Sequence, residues 1–284
     1  MTGEAVSTVK ARVAVRSARQ RRLALGTVLL HGFAVLMIVF LAAPIVALIL
    51  MSFNGADYIT FPPIGFSLKW YGRIFAMPGF VDALVLSVQL GALATALSLV
   101  LGVAAALGLA RATFRGRQAV LAALMSPLVV PSIVTGLALL QFFVDRNLRS
   151  ANWNLLVGHV IITLPYVIRT VLASLEVFDW SLVDTARVLG AGPVRAFWRV
   201  TLPIIRPGVL AGGIFAFLTS FDNYTISFFL ADARNVPLPV TVFNYIQNIF
   251  DPTVAALSAV LIYASAVILI VTERLIGTSR LRGF

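Results

Sequence analysis

Six apolar stretches, each long enough to cross a bilayer, leave this chain little room for any fold but a bundle of membrane helices. They run over Val28–Met51, Ala83–Ala110, Gln118–Val144, Leu155–Leu175, Gly208–Leu230 and Val254–Ile276. About 20 apolar residues cross the hydrocarbon core as a helix. Lipid offers the backbone no hydrogen-bond partner, so such segments satisfy themselves as helices. Composition agrees: 60% of the 284 residues are hydrophobic and 12% charged, where soluble domains carry about 25% charged residues. The first stretch is too long for the apolar region of a secretory signal and no small-x-small cleavage site follows it, so it is expected to stay as a helix. The expected fold class is all-α: one polytopic membrane domain with six transmembrane helices over residues 28–276, flanked by tails at 1–27 and 277–284.

The net charge of +11 would suit a nucleic-acid surface, but the basic residues sit in short segments beside the spans. An even number of spans puts both termini on one side. That side holds seventeen Lys and Arg, from the N-terminal tail, Arg111–Arg117, the segment 169–206 and the C-terminal end. The opposite loops hold five: Lys69, Arg73, Arg146, Arg149 and Arg234. The positive-inside rule then places both termini in the cytoplasm, and no nucleic-acid partner is expected. The loop Ser52–Asp82 falls outside, where Pro62, Pro63, Trp70 and Tyr71 suggest a packed cap with aromatics at headgroup level. With no cysteine in the chain, disulfides, zinc thiolates and cysteine nucleophiles are excluded.

The most distinctive stretch is a polar insert at about residues 176–207, between the fourth and fifth spans. Ser181 and Asp184 stand at capping-box spacing, which predicts a helix start at Leu182. Gly190 supplies a left-handed cap and Pro193 suits the first turn of a second short helix. Arg195 and Arg199 lie four apart on one face, Phe197, Trp198 and Val200 offer apolar anchors, and Pro203 and Pro207 are expected to break the chain before the fifth span. Two short helices at an elbow fit a groove on a partner. An amphipathic loop lying on the membrane surface would share part of this pattern.

The spacing from Ala186 to Gly190 and on to Val200, Leu202 and Pro203 resembles the EAA loop by which permease subunits of bacterial ABC importers dock on their ATPase. Asp184 stands in place of the usual Glu, Thr185 for the first Ala and Val200 for Ile. The resemblance extends over nearly the whole chain. Trp70-Tyr71, Arg115-Gly116, Ser126-Pro127 with Pro131, and Ser220-Phe221-Asp222-Asn223 look like a polyamine-importer permease, most of all the C-type subunit of spermidine/putrescine systems. It implies a type I ABC importer permease, with Asp184, Thr185, Ala186, Gly190, Val200, Leu202 and Pro203 coupling to an ATPase. It also implies a sister permease, two ATP-binding subunits and a periplasmic substrate-binding protein as partners in the bacterial inner membrane. ATP and Mg would then belong to the partner ATPase, with no cofactor on this chain.

Within the spans, Asp222 is the best-placed acid, read as lying mid-span. A charge at the bilayer centre costs about 2.5–3.5 kcal/mol on insertion scales and usually faces a cavity or a partner. With Asn223 and Tyr224 it offers charge pairing, hydrogen bonding and cation–π contact to a passing organic cation. Pairing with an Arg or capping a helix break is the alternative. Gln89, Thr95, Ser126, Gln141, His159 and Thr163 are read as interhelical hydrogen bonders, and Pro44, Pro127, Pro131 and Pro165 as kinks or packing irregularities. The chain has no G-x-x-x-x-G-K-[ST] phosphate loop, no metal-ligand spacing and no G-x-S-x-G elbow, so no catalysis is expected on it. A different imported solute (an opine, an amino acid or an anion) fits the same architecture. A stand-alone carrier or a membrane enzyme would lack use for the elbowed insert.

Overall fold

A computed structural model describes residues 27, 29–111, 113–249 and 251–280. The expectations for the tails fall almost entirely outside those residues. Among the described residues the chain is helical and has no strand: α1 (Leu29–Met51), α2 (Lys69–Ile74), α3 (Phe80–Arg111), α4 (Arg117–Met125), α5 (Ser132–Asp145), α6 (Ala151–Glu176), α7 (Ser181–Val188), α8 (Pro193–Ala196), α9 (Leu202–Phe221), α10 (Tyr224–Leu230), α11 (Leu238–Asn248) and α12 (Thr253–Arg280).

Three long helices, α3, α6 and α9, pack against one another and form the centre of the bundle. The reason is legible in their buried stripes. On α3 the inward positions include Ala83, Ser87, Gly91, Ala94, Ser98, Gly102 and Ala106; on α9 they are Ile205, Gly208, Gly212, Ala216 and Ser220. Small residues one turn apart let membrane helices approach closely, where dispersion replaces the absent hydrophobic drive. At Gly208 an added Cβ would stand 2.7 Å from the carbonyl oxygen of Thr170 on α6, and at Gly212 it would stand 3.0 Å from the Val167 Cα. The α6–α9 contact is backbone against backbone. By contrast, none of the most apolar window of α1 is buried.

Expected spans and observed helices agree for α1, α3 and α6 within a few residues. The third expected span is broken. Arg117–Leu128 and Ser132–Asp145 meet at a bend of 100°, because Pro127 closes a 3-10 turn and Pro131 (ψ 131°) sits in extended backbone before α5. The fifth also differs. Pro203 and Pro207 do not break the chain: α8, a π turn at Phe197–Thr201 and α9 form one helix from Pro193 to Phe221. The widened π turn just before Pro203 gives its ring room that a regular turn would deny. The sixth expected span, Val254–Ile276, falls within α12 (Thr253–Arg280).

The loop before α3 is the packed cap its prolines and aromatics suggest, with one change. Trp70 is inside rather than at a headgroup surface. It is 1% exposed, and its indole N–H donates to the Asn54 carbonyl at 2.7 Å. Trp70, Ile74 and Phe80 share a core with Leu238 and Leu257, tying α2 to α11 and α12.

Candidate functional site

The polar insert folds as an elbow anchored on one side and bare on the other. Asp179, rather than the Ser181–Asp184 pair, shapes the entry. Its Oδ1 accepts the Ser181 backbone N–H at 2.9 Å. Hydrogen bonds from the Ser181 hydroxyl and backbone hold the Asp179 carboxyl below the usual carboxylate range. Helix α7 therefore begins at Ser181, and its end follows the glycine rule. Gly190 lies at φ +85°, the Ala191 N–H reaches the Ala186 carbonyl at 2.9 Å and the Gly190 N–H reaches that of Arg187 at 2.9 Å. This is the Schellman pair. Pro193 opens the next helix, as its fixed φ favours.

On the inner side Phe178, Val183 and Ala196 are buried with Leu175 and Ile205, and Val200 and Leu202 pack onto the same cluster. On the outer side Val188, Leu189 and Val194 are 88%, 82% and 70% exposed around the Gly190 turn. Of the expected coupling residues, Ala186 and Gly190 make the turn, and Val200 and Leu202 anchor it. Asp184, Thr185 and Pro203 are exposed, although the Thr185 hydroxyl is used locally, donating to the Ser181 carbonyl at 2.8 Å. Trp198, expected as an anchor, is 62% exposed, and Arg195 and Arg199 are exposed. Sequence reasoning missed Phe178 and Trp180, whose rings meet edge to face at 4.8 Å. It also missed the apolar tip, which was signalled only by Val188 and Leu189 standing beside Gly190 in a polar segment.

At the far end of the same helix the expected mid-span acid is a helix break. Helix α9 stops at Phe221, Asp222 follows at φ −93° and ψ 3°, and Asn223 is extended. The Asn223 side-chain oxygen accepts the Ile226 N–H at 2.8 Å and starts α10. That is an N-cap in its usual role. The amide oxygen of Asn223 is thus spent on the backbone, and Asp222 is exposed. Tyr224 stacks on Phe228 with centroids 5.4 Å apart and meets Phe243 at a tilt, with centroids 4.7 Å apart. Asp222, Tyr224, Phe221 and Phe243 line a cavity of about 250 Å³. A carboxylate beside aromatic faces can hold an ammonium group by charge and by cation–π attraction. A wider cavity of about 770 Å³ opens between α3 and α11, with Asp82, Gln89, Asn244, Tyr245 and Asn248 around it.

His159 on α6 holds this break together. Its ring is 1% exposed. Nδ1 lies 2.7 Å from the Ser220 Oγ, and Nε2 lies 3.2 Å from the Ser227 Oγ. One imidazole therefore joins the last turn of α9 to α10 across Asp222 and Asn223. One turn along α6, Thr163 meets Ser98 of α3 at 2.7 Å. Both residues act as the interhelical hydrogen bonders expected of them.

The structure is thus a helical membrane bundle with a bare apolar elbow at one end of a central helix and a polar break at the other. Residues 98–277 match the family described as "Binding-protein-dependent transport system inner membrane component", and the chain belongs to it. It is the permease subunit of an ABC importer, a transport component and not an enzyme. It is 31% identical over 244 residues to the spermidine/putrescine transport system permease protein PotC of Haemophilus influenzae, covering 86% of this chain and 94% of that one. It is 31% identical over 252 residues to the putrescine transport system permease protein PotI of Escherichia coli K12, covering 85% and 86%. Its fold is shared with a bacterial alginate ABC transporter solved in complex with an alginate pentasaccharide-bound periplasmic protein. The TM-score is 0.64 at 17% identity, over 89% of this chain and 92% of that one.

Proposed function

We propose that this permease imports a polyamine of the spermidine/putrescine class, past Asp222, and takes its drive from an ATPase docked on the Gly190 elbow. The carrying observation is the single helix Pro193–Phe221, which has the elbow at one end and Asp222 at the other. A helix of that length reaches about 43 Å, enough to link the two faces of a bilayer. The names of the relatives support the substrate class, and the carboxylate among aromatic rings suits a protonated amine.

In this reading Asp184, Thr185, Ala186 and Gly190 present the docking face, with Val188, Leu189 and Val194 as its apolar contact. Val200, Leu202 and Pro203 carry movement into α9. Asp222 and Tyr224 line the route, and Asn223 shapes it. ATP and Mg are held by two ATP-binding partner subunits. A sister permease supplies the other half of the pathway, and a periplasmic binding protein delivers the solute, in keeping with the family's description. Both termini and the elbow face the cytoplasm, as the basic residues favour. Work is done by stabilising one of two conformations over the other, with no covalent step.

The test is ATP-dependent uptake of labelled spermidine and putrescine by vesicles holding the complete complex, with Asp222→Asn beside wild type. Uptake by wild type that is lost in an assembled Asp222→Asn complex is the expected result. Uptake unchanged by the substitution would remove Asp222 from the route. No uptake of either amine by a complex with active ATPase would overturn the substrate class.

A further inference from the structure

We propose that Arg111 is a positioning residue that ties α3 to the coupling elbow, so that α3 moves with the elbow during transport; the proposal rests on the coupling reading above. The need for such a tie follows from chain connectivity. Helix α6 runs into the insert at Glu176 and helix α9 grows out of it at Pro193, so both receive its movement through the backbone. The third central helix, α3, ends at Arg111, far from the insert in sequence. It can follow the elbow only through side chains.

Apolar contact from Ala106, Leu107 and Ala110 reaches the insert cluster, but such contact is non-directional and allows sliding. Arg111 adds direction. Its guanidinium carbon lies 4.2 Å from the centre of the Trp180 ring, and Nη2 lies 3.9 Å from the Asp184 Oδ1. One side chain therefore lies on the residue before α7 and reaches toward the first turn of α7. Trp180 in turn meets Phe178, which is 6% exposed within the insert core. A planar guanidinium can stack on an indole while pairing with a carboxylate; an ammonium is a point charge and does not reproduce both.

The test measures solute taken up per ATP hydrolysed by the full complex in liposomes, for wild type, Arg111→Gln, Arg111→Lys, Trp180→Leu and the Arg111→Gln/Trp180→Leu double variant. The ATPase should copurify with every variant. Arg111→Gln and Trp180→Leu should each lower the ratio by roughly threefold or more, Arg111→Lys should fall between, and the double variant should be no worse than either single one. Because the chain has no cysteine, an Arg111→Cys/Trp180→Cys variant can be joined by a short bifunctional thiol reagent. Joining should restore the ratio. An unchanged ratio in Arg111→Gln, loss of the ATPase from that variant, or uptake abolished by the cross-link would each overturn the tie. Failure of the wild-type chain to bind an ATPase would instead overturn the coupling reading on which it rests.

Discussion

The two ends of the helix Pro193–Phe221 are built on opposite plans. At the elbow, apolar side chains point outward: Val188, Leu189 and Val194 are bare, while the polar groups beneath them satisfy one another along the chain. At the break, polar side chains point inward, with His159 between Ser220 and Ser227, and the exposed acid Asp222 stands beside aromatic rings. An apolar tip on a polar turn suits a protein groove. A lone carboxylate among rings suits a small cation. On the proposed function, one helix would serve two kinds of neighbour.

The largest effect should come from the elbow. Leu189→Asp with Val194→Asp puts two charges on the apolar tip, and the complex should lose its ATPase on copurification while the permease stays in the membrane. Retention of the ATPase would place the docking face elsewhere. Next is the shaft. Gly208→Val pushes a side chain against the Thr170 carbonyl, and overpacking of this kind costs about 1–3 kcal/mol. Thermal unfolding of the detergent-purified chain should show the drop, with ATPase binding weakened only near the new midpoint.

At the break, His159→Leu leaves the Ser220 and Ser227 hydroxyls without their common partner, at about 1–3 kcal/mol for buried groups left unpaired. Uptake should fall while ATPase association stays at the wild-type level, the reverse of the elbow variant. Equal loss of both would erase the distinction between the two ends. The smallest effect is expected at Asp179. Its carboxyl is held below the usual range by Ser181, so its support is complete at neutral pH and is lost as pH falls through that lowered value. Asp179→Ala should lower the melting temperature slightly at pH 7 and make no difference in acid.

Much of this was legible in the sequence, for reasons that separate the elbow from the break. Apolar length marks α1, α3 and α6, and Gly190 with Pro193 marks the turn, because left-handed backbone and a fixed φ are properties of single residues. The break was half hidden, since a helix break at Asp222 stood only as the alternative to a mid-span acid. Leu218 to Leu230 mixes apolar residues with small hydroxyl side chains that a membrane helix tolerates, so the Asp222-Asn223 pair is its most polar point. Whether such a pair faces a cavity or caps a helix depends on where Ile226 and His159 lie. The role of Pro203 was hidden too, because a π turn upstream absorbs a proline that would otherwise end the helix. Pairings such as Arg111 with Trp180 join residues distant in sequence, and no local pattern announces them.

The most direct test of the two-ended helix measures whether ATP at the elbow is felt at the break. Spin labels on cysteines placed at Phe228 in α10 and Asn248 in α11 would report the distance between those helices in the assembled complex, with and without trapped nucleotide. A clear change in that distance on trapping is expected, lost in the Leu189→Asp/Val194→Asp variant. A distance unmoved by nucleotide in a complex that still imports solute would contradict the two-ended helix.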